Sequence, residues 1–491
     1  MTTSLLLQLS SLSAALLVPS TLAATPAQWR SRSIYQVLTD RFARADNSTV
    51  HPCDVTLNEY CGGTWKGIEY KLDYISNMGF DAIWISPITK NTADGYHGYY
   101  QTDLYSLNSN FGTAQDLKDL SQALHDRNMY LMVDVVTNHF GSETADDIDY
   151  ASFVPFNDSS YFHSYCEIDY DNQTSAEICW LYDNLPDLRT EDQDVVDAYS
   201  TWIGELVANY SIDGLRIDSV KDVDKASMPP FCEAAGVYCL GELSNNDPSY
   251  AYPYQDVLNG GGIINYPIYF SFNETFIYSG HATTADLAYN IYLDRNNSVD
   301  STLHGTFTEN HDNPRVAWHN PDITVAANAI GWTLLTDGIP IIYYGQEQHL
   351  AGADDPGCRE AMWLEENGSY NTTAPLHNTT AYLNQVRTWA VQNSANYTTT
   401  KNVALNYSDS QIAMQKDVIR TILTFAGEGQ VASTFTTVGA GFGAGVTVVD
   451  VISCATYTAT SAGEVTVGIG GGAMVVMLTA GFLAGSTICG Y

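Results

Sequence analysis

The chain has 491 residues, 45% of them hydrophobic, so it is long enough to bury a large core and exceeds the usual size of one domain. Its 56 acidic residues outnumber its 20 basic residues, which gives a formal net charge of -36 at pH 7. Such a chain repels nucleic acid and anionic membranes, so we expect neither as a partner; the charge suits a neutral ligand or simply the solubility of an exported protein.

The N-terminal segment predicts export. Residues 5–22 are apolar, Ser-rich and uncharged, and they lead into Leu22-Ala23-Ala24, a small-residue cleavage signal. We therefore predict a signal peptide over residues 1–24 rather than a membrane anchor, although a basic segment is missing. Sequons for N-glycosylation support a secreted, extracellular glycoprotein. The eleven sequons begin at Asn47, Asn157, Asn172, Asn209, Asn273, Asn296, Asn367, Asn371, Asn378, Asn396 and Asn406.

Strand-like and helix-like segments alternate through the next part of the chain. Asp81–Ser86 is a short apolar run, Thr113 caps a segment with leucines at helical spacing, and Met129–Val136 reads as a strand. Asp192–Tyr210 places its apolar residues on one helical face and precedes another strand, Gly214–Ile217. Repeated units of this kind predict a parallel sheet, and eight units would close a (β/α)8 barrel.

The final part of the chain has a different composition. From about Asn396 it is rich in Thr, Val, Ala and Gly with short alternating runs such as Gly445–Val451, which predicts an antiparallel β-sandwich. Val465–Tyr491 has no charged residue, so a lipid-anchor signal or a membrane helix is an alternative. Against that alternative, this stretch contains seven Gly and ends close after Cys489.

Four short segments each carry an acidic residue where an apolar run ends. The segments are Leu131–His139, Gly214–Val223, Tyr238–Leu243 and Thr306–Arg315, with the carboxylates of Asp134, Asp218, Glu242 and Asp312. If the strands are parallel in one barrel, these acids converge on its C-terminal rim, where barrel enzymes place their chemistry. Several acids in one cleft, with His and Arg among them, suit cleavage of glycosidic bonds.

These segments resemble the motif regions of the α-amylase family of glycoside hydrolases (glycoside hydrolase family 13), in its secreted fungal branch. Further segments with the same resemblance are Ser33–Arg44, Cys61–Trp65, Tyr96–Tyr100, Leu185–Leu188 and Ile339–His349. The resemblance implies an α/β fold: a (β/α)8 TIM barrel over residues 25–395, an inserted domain B over 139–188 and a C-terminal antiparallel β-sandwich over 396–491. It also implies a monomeric, retaining endo-hydrolase of α-1,4-glucosidic bonds in starch, glycogen and maltooligosaccharides.

The resemblance also implies roles for the acids. Asp218 matches the nucleophile, Glu242 the general acid/base, and Asp312 the third acid, which binds sugar hydroxyls and helps to distort the ring. Arg216 would keep Asp218 ionised, Asp134 would support Arg216, and the apolar strand before Glu242 would raise the pKa of that carboxyl. The matching substrate-binding residues are His97, Tyr99, Tyr100, His139, Arg216, Lys221, His311, Asp355 and Arg359.

A calcium ion (Ca²⁺) is the implied cofactor. The side chains of Asn138 and Asp187 match its ligands, and the backbone carbonyls of Glu177 and Asp222 complete the expected set. Ligands that are all oxygen and come from separate loops suit a hard cation.

Nine cysteines leave at least one unpaired within the chain. The resemblance implies three disulfides, Cys53–Cys61, Cys166–Cys179 and Cys454–Cys489. Of the other three, Cys239 is most simply a buried small hydrophobe, and a Cys232–Cys358 pair is left open.

Three departures from the family pattern concern substrate binding. Asp222 replaces a usual His after Lys221, on the acceptor side of the cleft; Tyr100 replaces a Trp; and the loop Thr89–Gly95 is shorter. They leave a second activity open, a 4-α-glucanotransferase acting on maltooligosaccharides or cell-wall α-glucan. An alternative from another class is a catalytically silent glucan-binding homologue, against which the full set of catalytic acids weighs.

Overall fold

The computed structural model describes residues 24–278 and 281–491. Apart from Ala24, the predicted signal peptide lies outside the described residues.

Eight parallel strands form the central barrel, as predicted. Each strand pairs with the next along the chain, the first pairs with the eighth, and a bridge between Ile264 and Gly305 joins the sixth to the seventh. The strands are Ile34–Val37, Ala82–Ile85, Tyr130–Val136, Gly214–Asp218, Tyr238–Gly241, Gly262–Ile263, Gly305–Thr306 and Ile339–Tyr343. Because all eight run the same way, the residues at their carboxyl ends share one rim.

Helices surround the barrel and begin at recognisable caps. Ala114–His125 starts with a capping box in which Thr113 and Asp116 bond each other's backbone N–H groups. The α-helices are Pro26–Trp29, Thr39–Phe42, Trp65–Tyr70, Leu72–Asn77, Ala114–His125, Gln173–Ile178, Gln193–Tyr210, Met228–Ala235, Pro248–Ala251, Tyr266–Phe276, Thr284–Asn297, Val316–His319, Ile323–Leu335, Pro375–Asn393 and Ala480–Leu483. Short 3-10 turns are Tyr150–Ser152, Ser159–Tyr161, Val220–Asp222, Lys225–Ser227, Tyr252–Val257, Ser301–Leu303, Gln346–Gln348, Glu365–Asn367 and Ile488–Gly490.

The segment between the third and fourth barrel strands packs around an aromatic cluster. Phe140, Phe153, Phe156 and Phe162 are buried with ring centroids 5.2–6.1 Å apart. An antiparallel pair, Thr89–Asn91 with Gln101–Leu107, lies beside this segment. Aromatic packing thus gives the first half of this segment, which has little regular secondary structure, a core of its own.

The C-terminal part forms two antiparallel sheets, as predicted. Six strands make one sheet, in the order Val403–Tyr407, Gln411–Lys416, Ile419–Thr424, Val475–Thr479, Thr447–Asp450 and Thr456–Thr458. The other sheet pairs Ser433–Thr437 with Val465–Ile469. Buried side chains of both sheets, including Met477 and Val467, share one core. Val475–Thr479 is a central strand, so the uncharged C-terminal stretch belongs to the folded sandwich.

The disulfides correct one part of the cysteine assignment. The three expected pairs are present, but Cys232 pairs with Cys239, and Cys358 is buried as a free thiol. The interpretation of Cys239 as an unpaired hydrophobe and the possible Cys232–Cys358 pair are therefore wrong. The helix Met228–Ala235 turns back at Gly236, in the left-handed region, directly into the strand that carries Cys239.

Candidate active site

A cleft of 220 Å³ lies at the carboxyl ends of the barrel strands. The three acids that the sequence singled out as catalytic, Asp218, Glu242 and Asp312, all line it. Each follows a different barrel strand, which is why residues far apart in the chain meet here. Of the predicted substrate-binding residues, seven also line the cleft: His97, Tyr99, Tyr100, His139, His311, Asp355 and Arg359.

One guanidinium group connects the acids beneath the cleft. Arg216 Nη1 donates to Asp218 Oδ1 at 2.7 Å and to Asp134 Oδ1 at 2.9 Å, while its Nη2 lies 2.9 Å from Glu242 Oε2. Arg216 is 1% exposed, so little water screens these contacts. Asp218 and Glu242 are therefore held close together on the two terminal nitrogens of one side chain.

Glu242 has the environment of a protonated acid. Burial raises its pKa to about 8, the negative charges of Asp218 and Asp312 act in the same direction, and Arg216 opposes them. Its Oε2 accepts a hydrogen bond from the Ser219 N–H at 3.0 Å, and Tyr266 Oη lies 3.5 Å from Oε1. At neutral pH this carboxyl can carry the proton that a leaving group requires.

Asp134 lies below the cleft and contacts protein groups rather than the cleft itself. Its Oδ2 accepts hydrogen bonds from Trp84 Nε1 at 3.1 Å and from Tyr99 Oη at 2.8 Å. Together with its bond to Arg216, these contacts give Asp134 the supporting position that the sequence analysis expected.

The three histidines of the cleft differ in how many ring nitrogens contact protein groups: both nitrogens do so in His139 and His311, and Nδ1 does so in His97. His139 Nε2 contacts the Tyr99 carbonyl at 3.0 Å and its Nδ1 contacts Asn138 Nδ2 at 3.3 Å. His311 contacts Gln36 Nε2 and Tyr99 Oη at 2.8 and 2.7 Å. His97 accepts from the Tyr99 N–H through Nδ1, so its neutral ring carries the proton on Nε2. Burial lowers the pKa of all three rings.

Arg359 organises the opposite side of the cleft. Its guanidinium lies 2.9 Å from Asp355 Oδ1 and 3.4 Å from Asp312 Oδ1, and its Nε donates to the His311 carbonyl at 2.8 Å. Two carboxylates that share one cation present several hydrogen-bond acceptors in fixed positions, which suits sugar hydroxyls.

Sequence reasoning missed several residues of the site. Leu181, Tyr182 and Leu185, from the segment between the third and fourth strands, line the cleft, and Tyr182 is 68% exposed there. Tyr266 approaches Glu242 from the helix that follows the sixth strand. None of these residues follows an apolar strand-like run, so the sequence pattern that identified the acids does not identify them.

Two predicted residues are not among those that line this cleft. Lys221 does not line the cleft; its Nζ lies 3.4 Å from the Ser244 carbonyl and over the ring of Tyr170. Asp222, expected on the acceptor side, is also outside the cleft and is only 1% exposed. The left-handed conformation of Ser219 begins a tight turn, Val220–Asp222, that carries Asp222 under the surface. The buried Asp222 carboxylate therefore does not face the cleft, so the expected hydrogen bonds from it to an acceptor sugar are not seen in this structure.

Unpartnered oxygens cluster near the predicted calcium position. Asn138 Oδ1, Asp187 Oδ1 and both carboxylate oxygens of Asp222 are buried without a hydrogen-bond partner. The helix Gln173–Ile178, which carries Glu177, approaches the same turn, because Gln173 Nε2 donates to the Lys221 carbonyl at 3.0 Å. Within residues 24–278 and 281–491, no group of three or more His, Cys, Asp or Glu is arranged to hold a metal. A metal here would need the amide and backbone oxygens as well.

Comparison with known proteins gives matches along the whole described chain. The family model for the alpha amylase catalytic domain matches residues 36–426, and that for alpha-amylase domain C matches residues 404–491. Alpha-amylase 2 of Schwanniomyces occidentalis is 46% identical over 95% of this chain and 93% of its own length. The alpha-amylase of Saccharomycopsis fibuligera is 43% identical over 94% of each chain. An alpha-amylase structure from Malbranchea cinnamomea superimposes with a TM-score of 0.92 at 47% identity, covering 95% of this chain and all of that one.

Proposed function

This chain belongs to the α-amylase family of glycoside hydrolases, and we propose that it cleaves internal α-1,4-glucosidic bonds of starch-like glucans with three carboxylates of its cleft. The observation that carries the assignment is the Arg216 guanidinium, which holds Asp218 and Glu242 on its two terminal nitrogens. A retaining glycosidase needs one ionised and one protonated carboxyl at short separation. The pair meets that need, because Asp218 bonds the cation and burial raises the pKa of Glu242 to about 8.

The two steps follow from these positions. Asp218 attacks the anomeric carbon while Glu242 gives its proton to the glycosidic oxygen, so the bond to the leaving sugar breaks and a glycosyl ester forms on Asp218. Glu242, now ionised, takes a proton from water, whose oxygen displaces Asp218 from the same carbon. Two inversions give retention, and both carboxyl groups return to their starting protonation states.

Other cleft residues bind the sugar in this proposal. Asp312, Asp355 and Arg359 bond the hydroxyls of the sugar that reacts, and the protonated Nε2 of His97 adds a donor. Tyr99 and Tyr100 supply aromatic surface for the apolar face of a sugar. His139 and His311 reach hydroxyls only by exchanging a protein partner. Arg216 acts on the acids from below, and Lys221, which does not line the 220 Å³ cleft, is proposed to contact sugar on its acceptor side.

Calcium is the proposed cofactor. Asn138 and Asp187 each turn an unpartnered, buried oxygen toward one region, and this donor chemistry fits a hard cation. These side chains, with the Glu177 carbonyl and Asp222, would hold the ion and tie the inserted segment to the barrel. The ion would supply positive charge to offset the buried carboxylates.

We also propose that the protein is secreted and acts as a monomer. Four disulfides favour an oxidising compartment, and no helix in the described part of the chain is long and apolar enough to cross a membrane. Of the eleven sequon asparagines, Asn273 is buried and cannot accept a glycan in the folded protein, whereas the others are at least partly exposed.

The test assigns both carboxylates by the products of rescued variants. Asp218→Ala and Glu242→Ala are given an α-maltosyl fluoride and azide, and we expect each to lose kcat on starch by a factor on the order of 10⁴. Azide then replaces Asp218 as nucleophile and gives a β-azide, whereas with Asp218 intact two inversions give an α-azide. The same anomer from both variants, or full starch activity in either, would contradict the assignment.

A further inference from the structure

We propose that the side-chain carboxylate of Asp222 is a ligand of the calcium ion, in addition to or in place of its backbone carbonyl. This inference rests on the calcium site proposed above. It makes the site richer in negative charge than one with a single carboxylate, and it connects the ion to the turn that holds Glu242.

The burial of Asp222 demands a compensating cation. Its two carboxylate oxygens are buried and neither has a hydrogen-bond partner. The ammonium group of the neighbouring Lys221 does not pair with this carboxylate, because its Nζ contacts the Ser244 carbonyl and the Tyr170 ring instead. An ionised carboxylate without a partner is costly in a protein interior, and a bound cation removes that cost.

Asp187 and Asn138 each have one side-chain oxygen without a hydrogen-bond partner. Asp187 uses Oδ2 for His163 Nδ1 at 2.7 Å, which leaves Oδ1 without a partner. Asn138 contacts His139 through Nδ2, which leaves its Oδ1 free. The segment after Asp222 is bonded to the segment after Asp187, because the Asp224 N–H donates to Thr190 Oγ1 at 2.9 Å. These two carboxylates and one amide oxygen are all buried, and protein oxygens of this kind are the ligands that calcium prefers.

The same turn holds the catalytic acid. Ser219, in the left-handed conformation, donates its N–H to Glu242 Oε2, and the Val220 N–H donates to the Glu242 carbonyl, each at 3.0 Å. The turn from Ser219 to Asp222 is therefore fixed at one end by its bonds to Glu242, and a metal bound by Asp222 would fix its other end. Asp222 is in this sense a positioning residue for Glu242.

The experiment compares calcium binding in three variants of the full chain. Chelator-stripped wild type, Asp222→Asn, Asp187→Asn and Asp224→Asn are titrated with CaCl₂ by calorimetry. Asp224 is the matched control, because it also lies beside the turn but caps Ala226, a role that Asn can keep. We expect Asp222→Asn and Asp187→Asn to bind calcium about tenfold more weakly or worse, and Asp224→Asn to bind it like wild type.

Melting temperatures separate a ligand from a merely structural carboxylate. Without calcium, Asp222→Asn should melt at the same or a higher temperature than wild type, because it removes an uncompensated buried charge. With calcium the order should reverse. The alkaline limb of kcat/KM should also move to higher pH in this variant, because a looser turn weakens the Ser219 N–H bond that lowers the pKa of Glu242.

The outcomes distinguish the two proposals. Weak binding by Asp187→Asn together with wild-type binding by Asp222→Asn would overturn the role of the Asp222 carboxylate and leave the calcium site standing. No calcium binding by wild type, or equal binding by all variants, would overturn the calcium site itself. Binding lowered equally by Asp222→Asn and Asp224→Asn would reduce the effect to general charge and would also overturn the ligand assignment.

Discussion

Arg216 decides how the acids of the cleft divide their roles. One guanidinium faces three buried carboxyl groups, those of Asp134, Asp218 and Glu242. A single positive charge cannot offset three negative ones in a site that excludes water, so a proton remains on the group that is least favoured as an anion. Glu242 is that group, because burial and the charges of Asp218 and Asp312 all raise its pKa.

The raised pKa of Glu242 predicts the pH dependence of activity. Glu242 must be protonated to act as the acid, so kcat/KM should fall as the pH rises through about 8. The folded-state pKa lies above the ordinary value of 4.5, so the protonated group contributes stability that is fully present below that value and is lost as the pH rises through about 8. The measurements are kcat/KM across the neutral and alkaline range and the melting temperature from about pH 4.5 to above about pH 8.

Glu242→Gln provides the control for the stability effect. Its amide stays neutral at every pH, so its melting temperature should fall less than that of wild type as the pH rises from about 4.5 to about 8. Parallel melting curves for the two proteins, or a limb of kcat/KM well on the acid side of neutrality, would show that Glu242 is ionised at neutral pH.

At the scale of elements, strands such as Tyr130–Val136 and Gly214–Asp218 follow from sequence periodicity, whereas the closed barrel and the roles of its acids were implied by the family resemblance. Each acid ends an apolar run, so its position on the rim is set once the strands are parallel, as Asp218 at the end of Gly214–Asp218 shows. The direction of Asp222 could not be read in this way, because it depends on one left-handed residue, Ser219. Tyr182 and Tyr266 could not be found either, since loop folding and helix packing bring them to the cleft.

Cysteine pairing was undecidable from the sequence for a similar reason. Cys232 and Cys239 are seven residues apart, and only the tight turn at Gly236 brings the helix and the following strand together. Spacing alone does not show that such a turn exists. Cys358 instead lies in the loop beside Arg359, with its Sγ donating to the His311 carbonyl at 3.2 Å.

The pairing predicts the reactivity of the thiols. Cys358 is buried, and burial raises the pKa of its thiol to about 12, so it should not react with a thiol reagent in the native protein. In denaturant one thiol per chain should react, and Cys358→Ala should abolish it. Peptide mapping without reduction should then recover Cys232 linked to Cys239; a Cys232–Cys358 peptide would contradict the structure.

At the scale of the whole molecule, the barrel and the sandwich share buried polar contacts. Lys416 Nζ, on a strand of the sandwich, lies 2.6 Å from Asp337 Oδ1, just before the eighth barrel strand, and both residues are buried. Asp337 Oδ2 also accepts hydrogen bonds from Ser301 Oγ and the Asn402 N–H. This contact lies at the amino end of the strands, away from the cleft, where side chains serve stability rather than chemistry.

Removing the lysine should therefore destabilise the molecule without changing its chemistry. Lys416→Met leaves Asp337 buried with only neutral donors, and breaking a buried pair in this way costs about 3–5 kcal/mol. The matched control is Lys66→Met, because the pair that Lys66 forms with Glu69 is partly exposed to water and should contribute little to stability. Urea unfolding and kcat at room temperature are the two measurements. A loss of kcat in folded Lys416→Met would show that the sandwich affects catalysis through the barrel. Equal stability of Lys416→Met and Lys66→Met would show that water already solvates the Asp337 carboxylate. With unchanged kcat and lowered stability, the sandwich acts as a support that holds the closed barrel from the face opposite its chemistry.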